Sequence, residues 1–191
     1  MTNQQPTAGE RPLRADARRN RERILDAARC ACAEHGASVQ MDDVAGRAGV
    51  GVGTVYRHFA TKEALLEELV AERFRTFAAH AREALEVDNP WEAFAGLLRR
   101  NAEVMAQDAG LRHALVGTGG MAQYTGEDRV ELDRLATQVI GRAQEAGVLR
   151  DDISVEDIPM LMSGLCASMG RPRSDWHRHL ELLLDAMRPR R

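Results

Sequence analysis

Apolar residues recur every three or four positions along most of this chain, a spacing that places them on one face of an α-helix. The alternation of apolar and polar residues that marks β-strands is absent, as are hairpin dipeptides. The pattern therefore predicts an all-α fold. The predicted helices are Arg18–His35, two short helices within Met41–Phe59, Lys62–Leu85, one from Pro90, a short piece at Leu111–Val116, one ending near Gly147, Val155–Met169, and one from Ser174 to Met187.

Several helix starts are marked by residues whose side chains cap exposed backbone N–H groups. Thr61 precedes Lys62, and Asn89 precedes Pro90, a pairing typical of a helix N-terminus because proline suits the first turn. Ser154 and Ser174 are predicted to start the last two helices in the same way.

The segment MDDVAGRAGVGVGTVYRHF, residues 41–59, predicts two short helices around a turn at Gly49. Val55 and Phe59 are four residues apart, so both lie on the buried stripe of the second helix. The rest of that helix forms an outward face that is short, polar and free of acidic groups. This face is typical of a recognition helix that enters the major groove of DNA.

With the flanking segments RERILDAARCACAEHG and ATKEALL, this motif resembles the DNA-binding domain of the TetR family of bacterial regulators, from about Arg18 to Leu69. The resemblance implies an N-terminal three-helix helix-turn-helix domain followed by a C-terminal helical domain for ligand binding and dimerisation. Gln40 and Gly51 depart from the Ser or Thr that commonly opens the two helices, so both caps are expected to be weak.

The matching positions imply which residues meet DNA. Four residues correspond to a phosphate clamp: Thr54, Tyr56, His58 and Lys62. The outward residues nearest the groove, Val52, Gly53 and Arg57, are the candidates for base contact, with Arg57 suited to guanine and Val52 to a thymine methyl group. The alternative for Tyr56 is a purely structural role between helices.

Charge divides the chain of 191 residues into unlike parts. Residues 1–60 carry nine basic and seven acidic side chains, a net charge of +2, whereas residues 61–191 carry 17 and 22, a net charge of −5. This asymmetry matches a two-part protein. Together with the resemblance, it implies a basic, disordered arm at residues 1–17, a DNA-binding domain at 18–61 and an effector-binding and dimerisation domain at 62–191. The arm is expected either to attract phosphates or to be a solvated tail without DNA contact.

The C-terminal part has enough apolar residues to line a cavity for a small apolar effector, in which methionines would adapt to irregular shapes. The candidate lining residues are Trp91, Phe94, Leu98, Met105, Met121, Tyr124, Met162 and Cys166. The alternative is that they form an ordinary core. The last two helices carry apolar stripes that the resemblance assigns to a homodimer interface, and the alternative is a closed intramolecular core.

The sequence predicts no catalytic residue, no metal site and no cofactor. The three cysteines, an odd number, give no disulfide framework. Cys30 and Cys32 diverge on a helix and cannot share one metal ion, so we interpret them as small core residues, and redox sensing by either or by Cys166 is the alternative. No apolar run is long enough to span a membrane, and a cytoplasmic protein is expected. The predicted function is a homodimeric repressor that a ligand releases from a palindromic operator. The alternatives are a ligand-responsive activator, a non-specific nucleoid protein, and an all-α enzyme or carrier.

Overall fold

The computed structural model describes residues 10–108, 112, 124–169, 171 and 174–189. Within these residues the regular structure is helical and no strand occurs, which confirms the all-α prediction. The α-helices are α1 (Glu10–His35), α2 (Met41–Ala48), α3 (Val52–His58), α4 (Lys62–Leu85), α5 (Pro90–Gln107), α6 (Glu127–Glu145), α7 (Asp157–Ser168) and α8 (Trp176–Met187). The short helix expected at Leu111–Val116 lies almost wholly outside the described residues.

The first helix begins earlier than the apolar pattern indicates. α1 starts at Glu10 and not at Arg18, so from residue 10 onward the predicted arm is continuous with the helix. The end of α1 is as predicted, because Gly36 follows it with a φ of +56°, a left-handed conformation that glycine adopts without steric cost. A single 3-10 turn, Gly36–Ser38, leads to α2.

Two predicted caps are present. The hydroxyl of Thr61 accepts a hydrogen bond from the N–H of Ala64 at 3.1 Å. The side-chain oxygen of Asn89 accepts from the N–H groups of Trp91 and Glu92 at 3.0 and 3.1 Å. These caps satisfy backbone donors that helix geometry leaves without intrahelical partners, and they set where α4 and α5 begin.

Two other caps differ from the prediction. α7 begins at Asp157, two residues after Val155, because the backbone N–H and the hydroxyl of Ser154 both donate to the carboxylate of Asp157, at 2.8 and 2.9 Å. Ser154 is thus a donor to the first turn and not an acceptor from it. At α8 the cap is Asp175, not Ser174, since its carboxylate accepts from the N–H of Arg178 at 3.0 Å.

The helix α4 connects the two halves of the molecule. It packs against α1 near its start and against α5 and α6 further along, and its 24 residues extend for roughly 36 Å. Buried residues follow one another along its length, from Leu65 through Phe74 to Ala84. A rigid displacement of α4 would therefore change the packing against α1 as well as the packing against α5 and α6.

The last two helices pack on each other and leave apolar side chains at the surface. Leu165, Leu180 and Leu184 are buried between α7 and α8 and their neighbours. Met160 and Leu182 are 66% and 50% exposed, respectively, so the two helices do not close all of their apolar surface within one chain. Among the described residues, no helix combines the length and apolar character that crossing a bilayer requires.

Candidate nucleic-acid interface and ligand cavity

The turn between α2 and α3 is fixed by a glycine and an arginine. Gly49 ends α2 with a φ of +62°, and its N–H donates to the carbonyl of Gly46 at 3.2 Å. From α1, the guanidinium of Arg23 donates to the carbonyl of Ala48, at the C-terminus of α2. The positive φ favours glycine there, and a Cβ atom would lie 2.8 Å from Nη2 of Arg23, so a larger residue would displace the end of that side chain from the carbonyl of Ala48.

The helix α3 presents one buried and one exposed face. Val55 is fully buried and Phe59 nearly so, as predicted. On the opposite side Val52 is 39% exposed, and Gly53 and Arg57 are also exposed. A Cβ atom at Gly53 would meet nothing within 4 Å, so packing inside the protein does not require glycine at this position. The three candidate base-contact residues therefore lie on the accessible face of α3.

The candidate phosphate clamp surrounds this face. Tyr56 is 50% exposed and not buried between helices, which weighs against a purely structural role. Thr54 and His58 are half-buried at the edges of the face. Lys62 occupies the first turn of α4, where the N-terminal end of a helix also favours an anion. Contact between these residues and DNA remains a prediction.

Arginines of α1 have partners within the protein. Arg18 pairs with Glu22 on the same helix, whereas Arg21 reaches Glu68 of α4, with Nη2 and Oε2 2.8 Å apart. The Arg21 guanidinium carbon also lies 5.3 Å from the ring centroid of Phe59, at the end of α3. Sequence reasoning assigned this basic stretch to phosphate attraction and missed its role in holding α3 and α4.

The ion pair of Arg21 continues toward the second half of the molecule. Glu68 also accepts a hydrogen bond from Arg75 at 2.8 Å, and Arg75 in turn donates to Asp128 of α6 at 3.0 Å. Asp128 accepts from the hydroxyl of Tyr124 at 3.4 Å. Charged side chains thus connect α1, α4 and the first turn of α6.

A cavity of about 440 Å³ lies among α4, α5, α6 and α7. Phe74 and Phe77 of α4 contribute to its wall, as do Leu132 and Ile140 of α6. Its volume falls within the roughly 300 to 1,000 Å³ typical of small-molecule sites. Five of the candidate lining residues face it: Phe94, Leu98, Met105, Met162 and Cys166.

Two candidates do not line the cavity. Trp91 packs at the start of α5 beneath Arg188, whose guanidinium carbon is 3.7 Å from the indole centroid, a cation–π contact that takes this ring out of the wall. Tyr124 stacks behind Phe74, with ring centroids 5.1 Å apart and planes 15° from parallel. Met121 lies outside the described residues.

Polar wall residues were missed by the sequence analysis. Nε of Arg129 donates to Oδ2 of Asp133 at 2.7 Å, and both residues line the cavity. Asn101 also lines it, with its side-chain oxygen 2.7 Å from Nδ1 of His80. The spacing of Arg129 and Asp133 on α6, and of Asn101 on α5, could have indicated that they lie on the inner face. Each of the three is one helical turn from an apolar lining residue.

The cysteines divide between core and surface. Burial raises the pKa of the Cys32 thiol, and a contribution from the charge of Asp108 acts in the same direction. Burial also raises the pKa of Cys166, against a smaller opposing effect of Arg112. At both positions the raised pKa disfavours the reactive thiolate form. Cys30 is exposed, which corrects its assignment to the core, because its side of α1 faces solvent.

Comparison with known proteins gives matches to both halves of the chain. Residues 24–69 match the model of the bacterial regulatory proteins of the tetR family, and residues 89–189 match that of the C-terminal domain of SbtR-like transcriptional regulators. The chain is 29% identical over 189 residues to the HTH-type transcriptional repressor KstR of Rhodococcus jostii, covering 95% of this chain and 89% of that protein.

Two solved structures show the same fold. The TetR transcription regulatory protein from Mycobacterium vanbaalenii is 36% identical, with a TM-score of 0.62, and the match covers 93% of this chain and 100% of that one. The TetR transcriptional regulator SCO0520 from Streptomyces coelicolor is 30% identical, also with a TM-score of 0.62, over 90% of this chain and 99% of that one.

Proposed function

Since this chain belongs to the TetR family of bacterial regulatory proteins and is a DNA-binding transcriptional regulator, we propose that it is a homodimeric repressor released from a palindromic operator by a small apolar ligand. In this proposal, residues 18–61 are the DNA-binding domain and residues 62–191 the effector-binding and dimerisation domain. The protein acts where the DNA is, in the cytoplasm.

The observation that carries this proposal is the position of α4. This helix starts at Lys62, directly after the recognition helix, and the same helix contributes Phe74 and Phe77 to the cavity wall. A ligand that favours one tilt of α4 therefore also favours one position of α3. Only a difference in ligand affinity between the two arrangements can drive such a change.

On the DNA, Val52, Gly53 and Arg57 contact base edges, while Thr54, Tyr56, His58 and Lys62 hold phosphates. The support is their placement on and around the exposed face of α3 and at the start of α4. An uninterrupted accessible face of this kind is what sequence readout in a major groove needs.

The dimer is proposed to form through α7 and α8, where Met160 and Leu182 remain exposed. Two recognition helices related by a two-fold axis must lie about one DNA turn apart, roughly 34 to 36 Å, or a multiple of it. A ligand that changes this separation lowers operator affinity. The similarity to the repressor KstR favours repression, and a ligand-responsive activator is the alternative, in which the liganded state binds the operator better.

The proposal is tested by selection of bound sequences from random duplexes, together with measurement of mass in solution. A specific dimer yields a two-fold symmetric motif and a mass twice that of the chain. A non-specific nucleoid protein, the other alternative, yields no motif. The selected motif is then placed upstream of a reporter gene. Expression that falls when the protein is present indicates repression, and expression that rises indicates activation.

A further inference from the structure

We infer that the cavity selects an uncharged, mainly apolar ligand that carries a hydrogen-bonding oxygen, because the cation in its described wall is neutralised within the wall itself. This inference rests on the proposed function, whose ligand it specifies. Among the described residues that line the cavity, Arg129 is the only cation, and the acidic groups are Asp133 and Glu156.

Contacts with Asp133 and Phe74 help to hold Arg129 in place. Its Nε donates to Asp133 one turn further along α6, at 2.7 Å. Its guanidinium carbon lies 5.6 Å from the ring centroid of Phe74, and that ring is fixed in turn by the stack with Tyr124. The pair is therefore a built part of the wall, with opposite charges one hydrogen bond apart.

A paired wall disfavours either sign of charge on a ligand. A carboxylate or sulfonate that approaches Arg129 also approaches the negative charge of Asp133. A ligand ammonium that approaches Asp133 likewise approaches the positive charge of Arg129. Burial of a charged group costs free energy unless a partner of opposite charge compensates it. Arg129 and Asp133 already compensate each other, and Glu156 is exposed to solvent, where water screens its charge. An uncharged ligand avoids this cost.

The remaining wall supplies apolar contacts and two uncharged polar side chains, Asn101 and Ser163. Phe94, Leu98 and Met105 form a stripe on α5 that faces the cavity, and Asn101 lies within the same stripe. Its side-chain oxygen is engaged by His80, so the amide N–H groups are those it can present to a ligand acceptor. A carbonyl or hydroxyl oxygen on an otherwise apolar molecule fits this pattern.

The test uses two fluorescent probes that differ by one charged group. N-phenyl-1-naphthylamine is uncharged, and 1-anilinonaphthalene-8-sulfonate has the same ring system with a sulfonate added. Both brighten in apolar surroundings. We expect the full-length dimer to bind the uncharged probe at least tenfold more tightly, and equal or tighter binding of the sulfonate would overturn the inference.

A charge variant tests the role of the ion pair directly. Asp133→Asn leaves the positive charge of Arg129 uncompensated by this partner, so the preference for the uncharged probe should shrink by about tenfold, as expected for one unit charge in a partly screened site. The matched control is Glu131→Gln, which removes the same charge two residues earlier on α6, where Glu131 pairs with Arg82 and Arg134 outside the cavity lining. An equal effect of both variants would contradict a local role of Asp133.

A blocking variant locates the probe. Met162→Trp adds bulk within the cavity and should abolish binding of N-phenyl-1-naphthylamine, and Ala136→Phe serves the same purpose if the first variant does not melt cooperatively. Persistent binding in a folded blocked variant, or no binding to the wild type, would overturn the inference. Failure of the proposed function is a separate result: a probe that binds in the cavity and leaves operator affinity unchanged.

Discussion

Arg21 of α1 and Glu68 of α4 form an ion pair, with Nη2 and Oε2 2.8 Å apart, that fastens the first helix to the helix that reaches the cavity. Arg75 donates to the other oxygen of Glu68, also at 2.8 Å. Burial alone would raise the pKa of Glu68, but the hydrogen bonds from Arg21 and Arg75 outweigh burial and lower the pKa. The folded protein therefore favours the ionised carboxylate.

Glu68→Gln should lower the free energy of unfolding at pH 7 by about 1 kcal/mol, after allowance for solvent screening at this partly exposed site. Because the pKa of Glu68 is lower in the folded state, its stabilising effect is present above the ordinary glutamate pKa and is lost as pH falls through the lowered value. Urea unfolding from pH 7 to pH 3 should show the difference between wild type and variant fading at the acidic end. Glu67→Gln, at an exposed neighbouring position, is the control, and an equal loss in both variants would contradict the role of the ion pair.

Gly49→Ala should destabilise the protein more than Gly36→Ala. Both glycines have left-handed backbones, with φ of +62° and +56°, so each substitution costs about 1 kcal/mol in backbone strain. At Gly36 a Cβ atom meets nothing within 4 Å, whereas at Gly49 it lies 2.8 Å from Nη2 of Arg23. Thermal unfolding in an Arg23→Met background should remove the difference, and a difference that persists would show that Arg23 is not its cause.

Gly53→Ala should stabilise the folded protein and weaken its binding to DNA. Open space surrounds the position, and alanine is favoured over glycine inside a helix by up to about 1 kcal/mol. If the backbone of α3 closely approaches the groove, the added methyl group costs roughly 1 to 3 kcal/mol of operator affinity, as overpacking does in a tight interface. Fluorescence anisotropy with an operator duplex measures this, and Gly96→Ala on α5 is the control. Unchanged affinity would exclude close backbone approach at Gly53.

Substitutions of Arg57 and Lys62 should distinguish residues that read bases from residues that bind phosphates. Arg57→Ala is expected to relax preference at one base position in each half-site, by about 1 to 3 kcal/mol of discrimination. Lys62→Ala should weaken operator and unrelated DNA alike and reduce the slope of log affinity against log salt by about one. Uniform weakening by Arg57→Ala would assign Arg57 to the phosphates, and an unchanged salt slope would remove Lys62 from them.

The elements that the sequence predicts well are those set by local chemistry. The caps at Thr61 and Asn89, the left-handed turn at Gly49 and the buried pair Val55 and Phe59 depend on residues within a few positions of each other. Such contacts are encoded by spacing alone. The predicted start of α7 was wrong because a serine near a helix start can act in two ways. It can accept a hydrogen bond from a backbone N–H, or it can donate one to an acidic residue in the first turn, and the residue type alone does not distinguish these two arrangements.

The features that the sequence could not predict depend on partners distant along the chain. Arg23 meets Ala48, 25 residues away, and Arg21 meets Glu68 on another helix. The apolar pattern likewise indicated that Trp91 and Tyr124 are inward but not whether they border a cavity or pack behind its wall. That distinction arises from the contacts of their rings with Arg188 and Phe74.

The central claim is that the cavity and the operator site are coupled through α4, and reciprocal titration tests it most directly. Uncharged apolar compounds that raise the melting temperature of the wild type, but not of Met162→Trp, are titrated calorimetrically into the free dimer and into the dimer–operator complex. The same compounds are then added in operator-binding assays. Coupling of about 1 to 3 kcal/mol predicts roughly 5- to 150-fold weaker operator binding, and linkage requires the operator to weaken ligand binding by the same factor. If every compound that binds in the cavity leaves operator affinity unchanged, the account is contradicted.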